Sequence, residues 1–375
     1  MARYRFDEIA VNVNEKKKPT AEDQKLYVGL EHLDSGSLVV SRWGSNVPIK
    51  GEKLIMRKGD VLLGKRNAYL RRAAIAPHDG IFSAHGMVLR PNEDIVDRNF
   101  FPFFISSDYF FDEAVRISVG SLSPTVNWSD LRRLEFDLPE MDEQKKLARV
   151  LWAVNDTIEA YKRLISATDD LVRGRFVEMF GDPLKNEREW EYRLLPEVAD
   201  IVLGSTPKST EPAYWDGNIK WITPAEIQDD AFIINDTVRH ITPEGVKAAN
   251  LKPFPMGTVI FSTRAPIGKT AIAGCKMYCN QGFKNFVCKH EMNPIYLLAL
   301  LRIYKNYFIN MGTGTTFKEL SKACLERVAI SVPPYELQQQ FADFVYQADK
   351  SKSSLQKALT AAKNISRKII AENLR

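Results

Sequence analysis

The sequence predicts an α+β protein with two tandem β-rich domains of one design, each followed by a long helix. The two helices are expected to pair as an antiparallel intramolecular coiled coil with pseudo-two-fold symmetry. Three observations carry this expectation. The chain has 375 residues, whereas one domain takes roughly 100–200. Its motifs recur after about 195 residues, far too long a period for a solenoid. Each repeat ends in a run whose apolar residues alternate spacings of four and three, the seam of paired helices.

The repeat is read from four motifs in the same order. Lys58-Gly59-Asp60-Val61-Leu62-Leu63-Gly64-Lys65-Arg66 returns in pattern as Met256-Gly257-Thr258-Val259-Ile260-Phe261-Ser262-Thr263-Arg264, at an offset of 198. Ser83-Ala84-His85-Gly86-Met87 matches Cys279-Asn280-Gln281-Gly282-Phe283 at 196, and Gly120-Ser121 matches Gly314-Thr315 at 194. Leu131 to Gln144 then matches Leu325 to Gln338, again at 194.

Within each half the elements follow one order. A β-rich stretch opens it, with Leu26-Tyr27-Val28 in register with Lys220-Trp221-Ile222. Strands such as Val61-Leu62-Leu63 and Thr258-Val259-Ile260-Phe261 follow, rich in β-branched and aromatic residues and punctuated by Gly and Pro. A short helix is expected around Phe100–Val115 and again around Pro294–Ile309. A glycine-containing loop then leads to a last strand ending at Leu138-Pro139 or Val332-Pro333-Pro334. The expected boundaries are 1–139 and 182–333 for the domains, with spacer helices over 140–181 and 334–375. The first seam runs through Leu147, Leu151, Val154, Ile158, Tyr161 and Ile165. The second runs through Phe341, Val345, Leu355 and Leu359, with Lys352 interrupting it. Forty helical residues make a rod of about 60 Å, and a rod that long needs a partner for its apolar stripe.

Composition narrows the class. The chain is 45% hydrophobic and 26% charged, as in ordinary globular proteins. No apolar run approaches the roughly 18–20 residues that span a bilayer, and Met1–Ala10 is charged throughout; a cytoplasmic protein, with no membrane as partner, is expected. Four cysteines, all in the second half, suit a reduced compartment. Cys275-x3-Cys279 with Cys288-x-His290 raises a zinc site, but the spacing fits no common finger. Buried core cysteines and no metal are the expected reading.

Net charge is only +5, so its distribution matters more. Leu38–Ile75 holds nine basic residues against two acidic ones, and Gly245–Lys289 holds seven against none. Two basic segments suggest a polyanion held in two places.

No catalytic site is expected. Val332-Pro333-Pro334-Tyr335 resembles the Asp/Asn-Pro-Pro-Tyr site of adenine methyltransferases, but Val332 cannot accept a hydrogen bond from a base amino group. Glu143-Gln144-Lys145, with Asp137, resembles the tail of a nuclease metal motif. The second half has Leu337, Gln339 and Ser331 in place of Glu143, Lys145 and Asp137, and an acid at a helix start suits the dipole. Gly312-Thr313-Gly314-Thr315-Thr316 lacks the Gly-Lys-Ser/Thr of a P-loop.

The alternation of β domain and long helix, twice over, resembles the specificity subunit of type I DNA restriction–modification systems. The resemblance covers essentially the whole chain. It rests on Leu194 to Asp200, Gly204-Ser205-Thr206-Pro207, Trp221 to Glu226, Val259 to Lys269, Asn280-Gln281-Gly282-Phe283 and the Leu138-Pro139-x3-Glu143-Gln144 helix entry. It implies a non-catalytic subunit in which each domain reads half of a split double-stranded DNA site and the helices set the gap. It also implies docking of two methyltransferase subunits, which bind S-adenosylmethionine, and of restriction-translocase subunits in the cleaving complex. A helical protein-interaction scaffold or a stand-alone DNA-modifying enzyme are the rival classes.

Side-chain chemistry divides the expected contacts. Arg pairs bidentately with guanine, and Gln or Asn with adenine; Lys and hydroxyl groups more often hold phosphates. Arg42, Lys65, Arg66, Arg71 and Arg72 are the candidates for the first half-site. Lys208, Arg264, Lys269, Lys276 and Gln281, with Thr313 and Thr315 on phosphates, are those for the second.

Overall fold

The computed structural model describes residues 1–312 and 319–374. The chain divides into two compact units: residues 1–162 with 357–375, and residues 163–356. Both long helices therefore contribute a segment to each unit.

In the first unit, the opening strand Ala2–Arg5 pairs antiparallel with Glu135–Leu138, so the domain's entry and exit are stitched together. One helical turn, Phe6–Ile9, follows, closed by Glu8, whose carboxylate accepts from the Arg5 N–H at 2.7 Å. A four-stranded antiparallel sheet comes next, in the order Ala10–Val13, Gly86–Pro91, Val61–Gly64, Ala73–Ile75. Its inner strand Val61–Gly64 is buried at every residue, as expected of an apolar run covered on both faces. A second small sheet includes a parallel pair, Tyr27–Val28 with Gly80–Phe82.

The second unit repeats these features. Glu191–Leu194 pairs with Ala329–Val332, and Leu195–Val198 forms the equivalent turn, with Glu197 accepting from the Leu194 N–H at 2.6 Å. The main sheet runs Ala199–Leu203, Lys284–Cys288, Val259–Phe261, Thr270–Ala273, with Ile233–Ile234 added at its edge. The parallel pair recurs as Trp221–Ile222 with Tyr278–Cys279. Cross-strand partners repeat as well: Val61 faces Leu89, and Val259 faces Phe286. Gly64 faces Gly86 and Ser262 faces Phe283, so this strand is displaced by 197 residues, one more than Gly86 and Gly282 suggest. Each expected short helix is two: Phe101–Ser106 with Asp108–Arg116, and Pro294–Ile303 with Lys305–Met311.

The long helices span Met141–Phe180 and Tyr335–Asn373. In the first unit, Ala148 and Leu151 near the start of one share a core with Leu374, just beyond the end of the other, and Ile369 and Ile370 pack against it. In the second unit, Phe176 and Phe180 share a core with Phe341, Ala342 and Val345. Start meets end in both, so the pairing is antiparallel. Of the seam residues, Leu151, Ile158, Phe341 and Val345 are buried. Leu147, Val154, Tyr161, Ile165, Leu355 and Leu359 are partly covered.

Lys352 does not break the seam. Its ammonium is buried and donates to both carboxylate oxygens of Asp169, at 2.6 and 2.9 Å.

Gln144 and Gln338 join each helix to its domain. Gln144 Oε1 accepts from the Asp97 N–H at 2.8 Å, and its Nε2 donates to the carbonyls of Ile95 and Pro139 at 3.0 and 2.8 Å. Gln338 Oε1 accepts from the Asn293 N–H at 2.9 Å, and its Nε2 donates to Glu291 and Pro333 at 3.1 and 2.8 Å. Both side chains are buried, and every bond is within the normal range.

Candidate nucleic-acid interface

In each unit the same strand delivers its residues to the candidate surface. Val61–Gly64 leaves the core at Lys65 and Arg66. There the Lys65 carbonyl accepts from the Val126 N–H at 2.9 Å, and Arg66 bridges Thr125. In the second unit the Thr263 carbonyl accepts from the Leu320 N–H at 2.9 Å, and Arg264 bridges Glu319. The two sets stand at matching repeat positions. Backbone bonds make both arrangements, so neither arginine side chain is spent on them.

Around Arg66 the loop is closed by paired backbone bonds between Val119 and Thr125, at 2.9 and 3.0 Å. Arg66 Nε donates to Ser123 Oγ at 2.9 Å, and the Ser123 hydroxyl donates to Asn67 Oδ1 at 2.8 Å. Asn67 takes a left-handed backbone, φ 55°, which asparagine tolerates better than most residues. His85 lies beside this cluster. Burial holds its imidazole below the ordinary value, and the charges of Arg66, Lys65 and Lys53 lower it further.

In the second unit, Arg264 Nε donates to Glu319 Oε2 at 2.9 Å. Lys284 is buried behind it; its ammonium donates to Thr263 Oγ1 at 3.0 Å and to Glu319 Oε1 at 3.4 Å. Desolvation lowers the Lys284 pKa, opposed by the charge of Glu319. Two sequence motifs meet close by. Gly204 packs so near Asn280 that a Cβ would lie 2.0 Å from its carbonyl oxygen. The Ser205 N–H donates to Cys279 at 3.0 Å, and the Thr206 hydroxyl donates to Gln281. Gln281 is thus exposed but held. In Trp221 to Glu226, the Glu226 carboxylate accepts from Thr223 N and Oγ1, both at 2.8 Å, and from Val238 N at 2.6 Å.

The remaining candidates divide. Arg42 is closed on Asp34, with bonds of 2.8 and 3.0 Å, and holds that carboxyl below its ordinary range. Arg71, at a left-handed φ of 48°, is paired with Asp108 and Asp112. Lys269 donates to the Ile227 carbonyl at 2.7 Å. Lys208 and Lys276 are exposed, and Lys65 and Arg72 partly so. Thr313 and Thr315 lie outside the described residues. The sequence count of basic residues therefore overstates the free positive charge, because acids remote in sequence, such as Asp108 and Asp112, neutralise part of it.

Cys279 is buried and accepts from the Asn285 amide at 3.1 Å. Burial pushes the Cys279 and Cys288 thiols up to about 12, unlike the thiolates that bind zinc. His290 is exposed. Among the described residues no cluster of His, Cys, Asp or Glu is arranged to hold a metal, and no helix is long and apolar enough to cross a membrane.

The family model for the type I restriction modification DNA specificity domain matches residues 10–167 and again residues 187–362. The chain belongs to this family. The two matches follow the internal repeat, so each unit contains a specificity domain. Among curated relatives, the type I restriction enzyme MjaIX specificity subunit of Methanocaldococcus jannaschii is 35% identical over 42% of this chain and 37% of its own length. That match thus spans little more than a third of the relative. A putative MjaX specificity subunit from the same organism is 22% identical over 92% of this chain and 88% of its own. Two solved structures show the same fold. One, from a study of complex assembly and conformational transition of a type I restriction–modification system, has a TM-score of 0.57 at 22% identity, covering 99% of this chain and 97% of that one. The other, the S subunit of such a system from M. genitalium, has a TM-score of 0.58 at 13% identity, covering 100% and 96%.

Sequence reasoning passed over Ser123 and Glu319 and gave Gln144 and Gln338 no role beyond the matching motifs in which they stand. The recurrence of a glutamine at the same place in both halves was the available signal for the latter two. Ser123 and Glu319 carried none, being different residue types at unmatched positions.

Proposed function

We propose that this DNA-recognition subunit reads one half of a split double-stranded DNA site with each specificity domain, and that the paired helices set the gap between the half-sites. The observation that carries the reading is the twofold construction of one apparatus: an inner strand delivering an arginine to a loop, held by matching backbone bonds in both units. Exposed or partly exposed Lys65, Arg72, Lys208 and Lys276 supply phosphate contacts, which orient a duplex without reading it. The chain is itself non-catalytic. It works with two methyltransferase subunits that carry S-adenosylmethionine, and with restriction-translocase subunits when the complex cleaves, in the cytoplasm.

The test is an exchange of residues 1–139 for the corresponding domain of another family member, followed by sequencing of methylated adenine in cells that supply the methyltransferase partner. One half of the methylated sequence should change and the other should stay. A change in both halves overturns the modular reading. Methyl transfer by the purified chain alone overturns the non-catalytic one.

A further inference from the structure

Arg66 and Arg264 occupy one position of the repeated design, each following the inner strand and each bridged to the loop that crosses it. Their side chains are held alike. In both, Nε donates at 2.9 Å to an acceptor from that loop, Ser123 Oγ in one unit and Glu319 Oε2 in the other. The acceptors differ in residue type and in position along the loop, yet the same guanidinium nitrogen is taken. Fixing Nε orients the planar group and leaves the two Nη groups as a fork. Among the described residues, neither fork has a hydrogen-bond partner. Arg42 and Arg71, by contrast, have their forks closed on carboxylates.

A free arginine fork suits two ligands, a phosphate or the O6/N7 edge of guanine. Glu319 decides between them in the second unit. Its carboxylate, anchored from behind by Lys284, would repel a phosphate placed against Arg264 but not the uncharged edge of a base. We propose that Arg66 and Arg264 are specificity-determining residues, each reading a guanine in its own half-site, and that Ser123 and Glu319 are their positioning residues. The proposal rests on the split-site reading above.

The experiment uses the full chain assembled with its methyltransferase subunits on a DNA library randomised across both half-sites, with selection scored base by base. Arg66→Ala should relax selection of one guanine in one half-site, and Arg264→Ala of one guanine in the other, by roughly 5- to 150-fold. The other bases of the same half-site, still selected, report that the mutated unit is folded. Glu319→Ala should relax the same position as Arg264→Ala, whereas Glu319→Gln, which keeps an oxygen for Nε, should largely retain selection. Ser123→Ala and Ser123→Thr should divide in the same way at the Arg66 position. A wild-type profile without two half-sites overturns the split-site reading and this proposal with it. Two wild-type half-sites that the arginine variants leave unchanged, or weaken evenly at every base, overturn this proposal alone. Relaxation in the arginine variants without a matching effect of Ser123→Ala or Glu319→Ala overturns the positioning roles.

Discussion

Replacing Gln144 by alanine removes three hydrogen bonds at once and leaves the Asp97 N–H and the carbonyls of Ile95 and Pro139 without their partner. At about 1 kcal/mol net per bond the loss is about 3 kcal/mol. In a unit of this size, each kcal/mol moves the melting temperature by roughly 2–4 °C, so the first unit should melt roughly 6–12 °C earlier. Gln338→Ala should do the same to the second unit, through Asn293, Glu291 and Pro333. The isosteric Gln144→Glu separates hydrogen bonding from packing. It keeps the acceptor for Asp97 but turns a second oxygen toward two carbonyl oxygens that Nε2 now approaches to within 3.0 Å. Burial against carbonyls disfavours the carboxylate, so the introduced acid should titrate well above the ordinary glutamate value of about 4.3. A raised folded-state pKa means that the folded form holds the proton more tightly. The variant should be closest to wild type below pH ~4.3 and lose stability as pH rises toward the elevated value. Calorimetry across pH 4–8, with amide exchange at Asp97 as the local probe, measures both effects. If Gln144→Ala falls within 1 kcal/mol of wild type, or if Gln144→Glu gains stability with rising pH, the clamp is not what joins helix to domain.

Three further outcomes follow from particular side chains and from the helices. Lys352→Met should unfold within about 1 kcal/mol of wild type, because the half-exposed Asp169 and the nearby Asp349 that it leaves behind keep the charge of Arg302; Asp169→Asn takes from a buried ammonium the carboxylate it bonds and should cost about 1–3 kcal/mol in denaturant titrations, and the reverse order would refute the pairing argument. Arg71→Ala should leave the salt dependence of DNA binding unchanged, since Asp108 and Asp112 already neutralise it. Joint neutralisation of Lys65 and Arg72 should flatten the slope by about 0.9 log unit for each phosphate the pair no longer neutralises; equal flattening by Arg71→Ala would show that its ion pairs open on DNA. Four residues inserted after Ala167 add about 6 Å of helix and nearly one full turn, so methylome sequencing should find the same half-sites with the gap widened by one or two base pairs. Two inserted residues rotate the seam by about 200° and should do worse, and an unaltered gap in the four-residue variant would show that the helices do not set it.

The fold was legible in the sequence wherever it rests on periodic burial. The 4/3 spacing from Leu147 onward identifies the helix that runs from Met141 to Phe180, and the motif offset of 198 identifies inner strands whose ladder partners also repeat. Electrostatics was less legible, because pairing depends on distance in space. Arg42 and Arg71 look like free cations in a basic run until Asp34, Asp108 and Asp112 are folded against them. Lys352 looks like a defect in the apolar seam, since its partner Asp169 belongs to the other helix. Glycine motifs were recognisable as motifs but not as neighbours. Gly204-Ser205-Thr206-Pro207 and Asn280-Gln281-Gly282-Phe283 lie about 75 residues apart, and only the fold shows that one packs on the other.

The matched arginines also explain how one scaffold can carry two different readings. Each strand-to-loop junction is fixed by a backbone bond, Val126 N–H to the Lys65 carbonyl or Leu320 N–H to the Thr263 carbonyl, and a backbone bond is indifferent to the side chains on either residue. Lys65 can therefore stand where the second unit has Thr263, and Thr125 where it has Glu319, without moving the strand. The acceptor that orients the arginine can likewise shift from the bridged residue itself to Ser123, two residues before Thr125. What must stay constant is the inner strand, buried along its length in both units, because a one-residue slip there would exchange the side chains packed in the cores on its two faces. Specificity can thus change by substitution at the junction while stability resides in the strand behind it. Core substitutions such as Leu63→Ala or Phe261→Ala should accordingly lower the melting temperature without altering which bases are selected by the protein that remains folded.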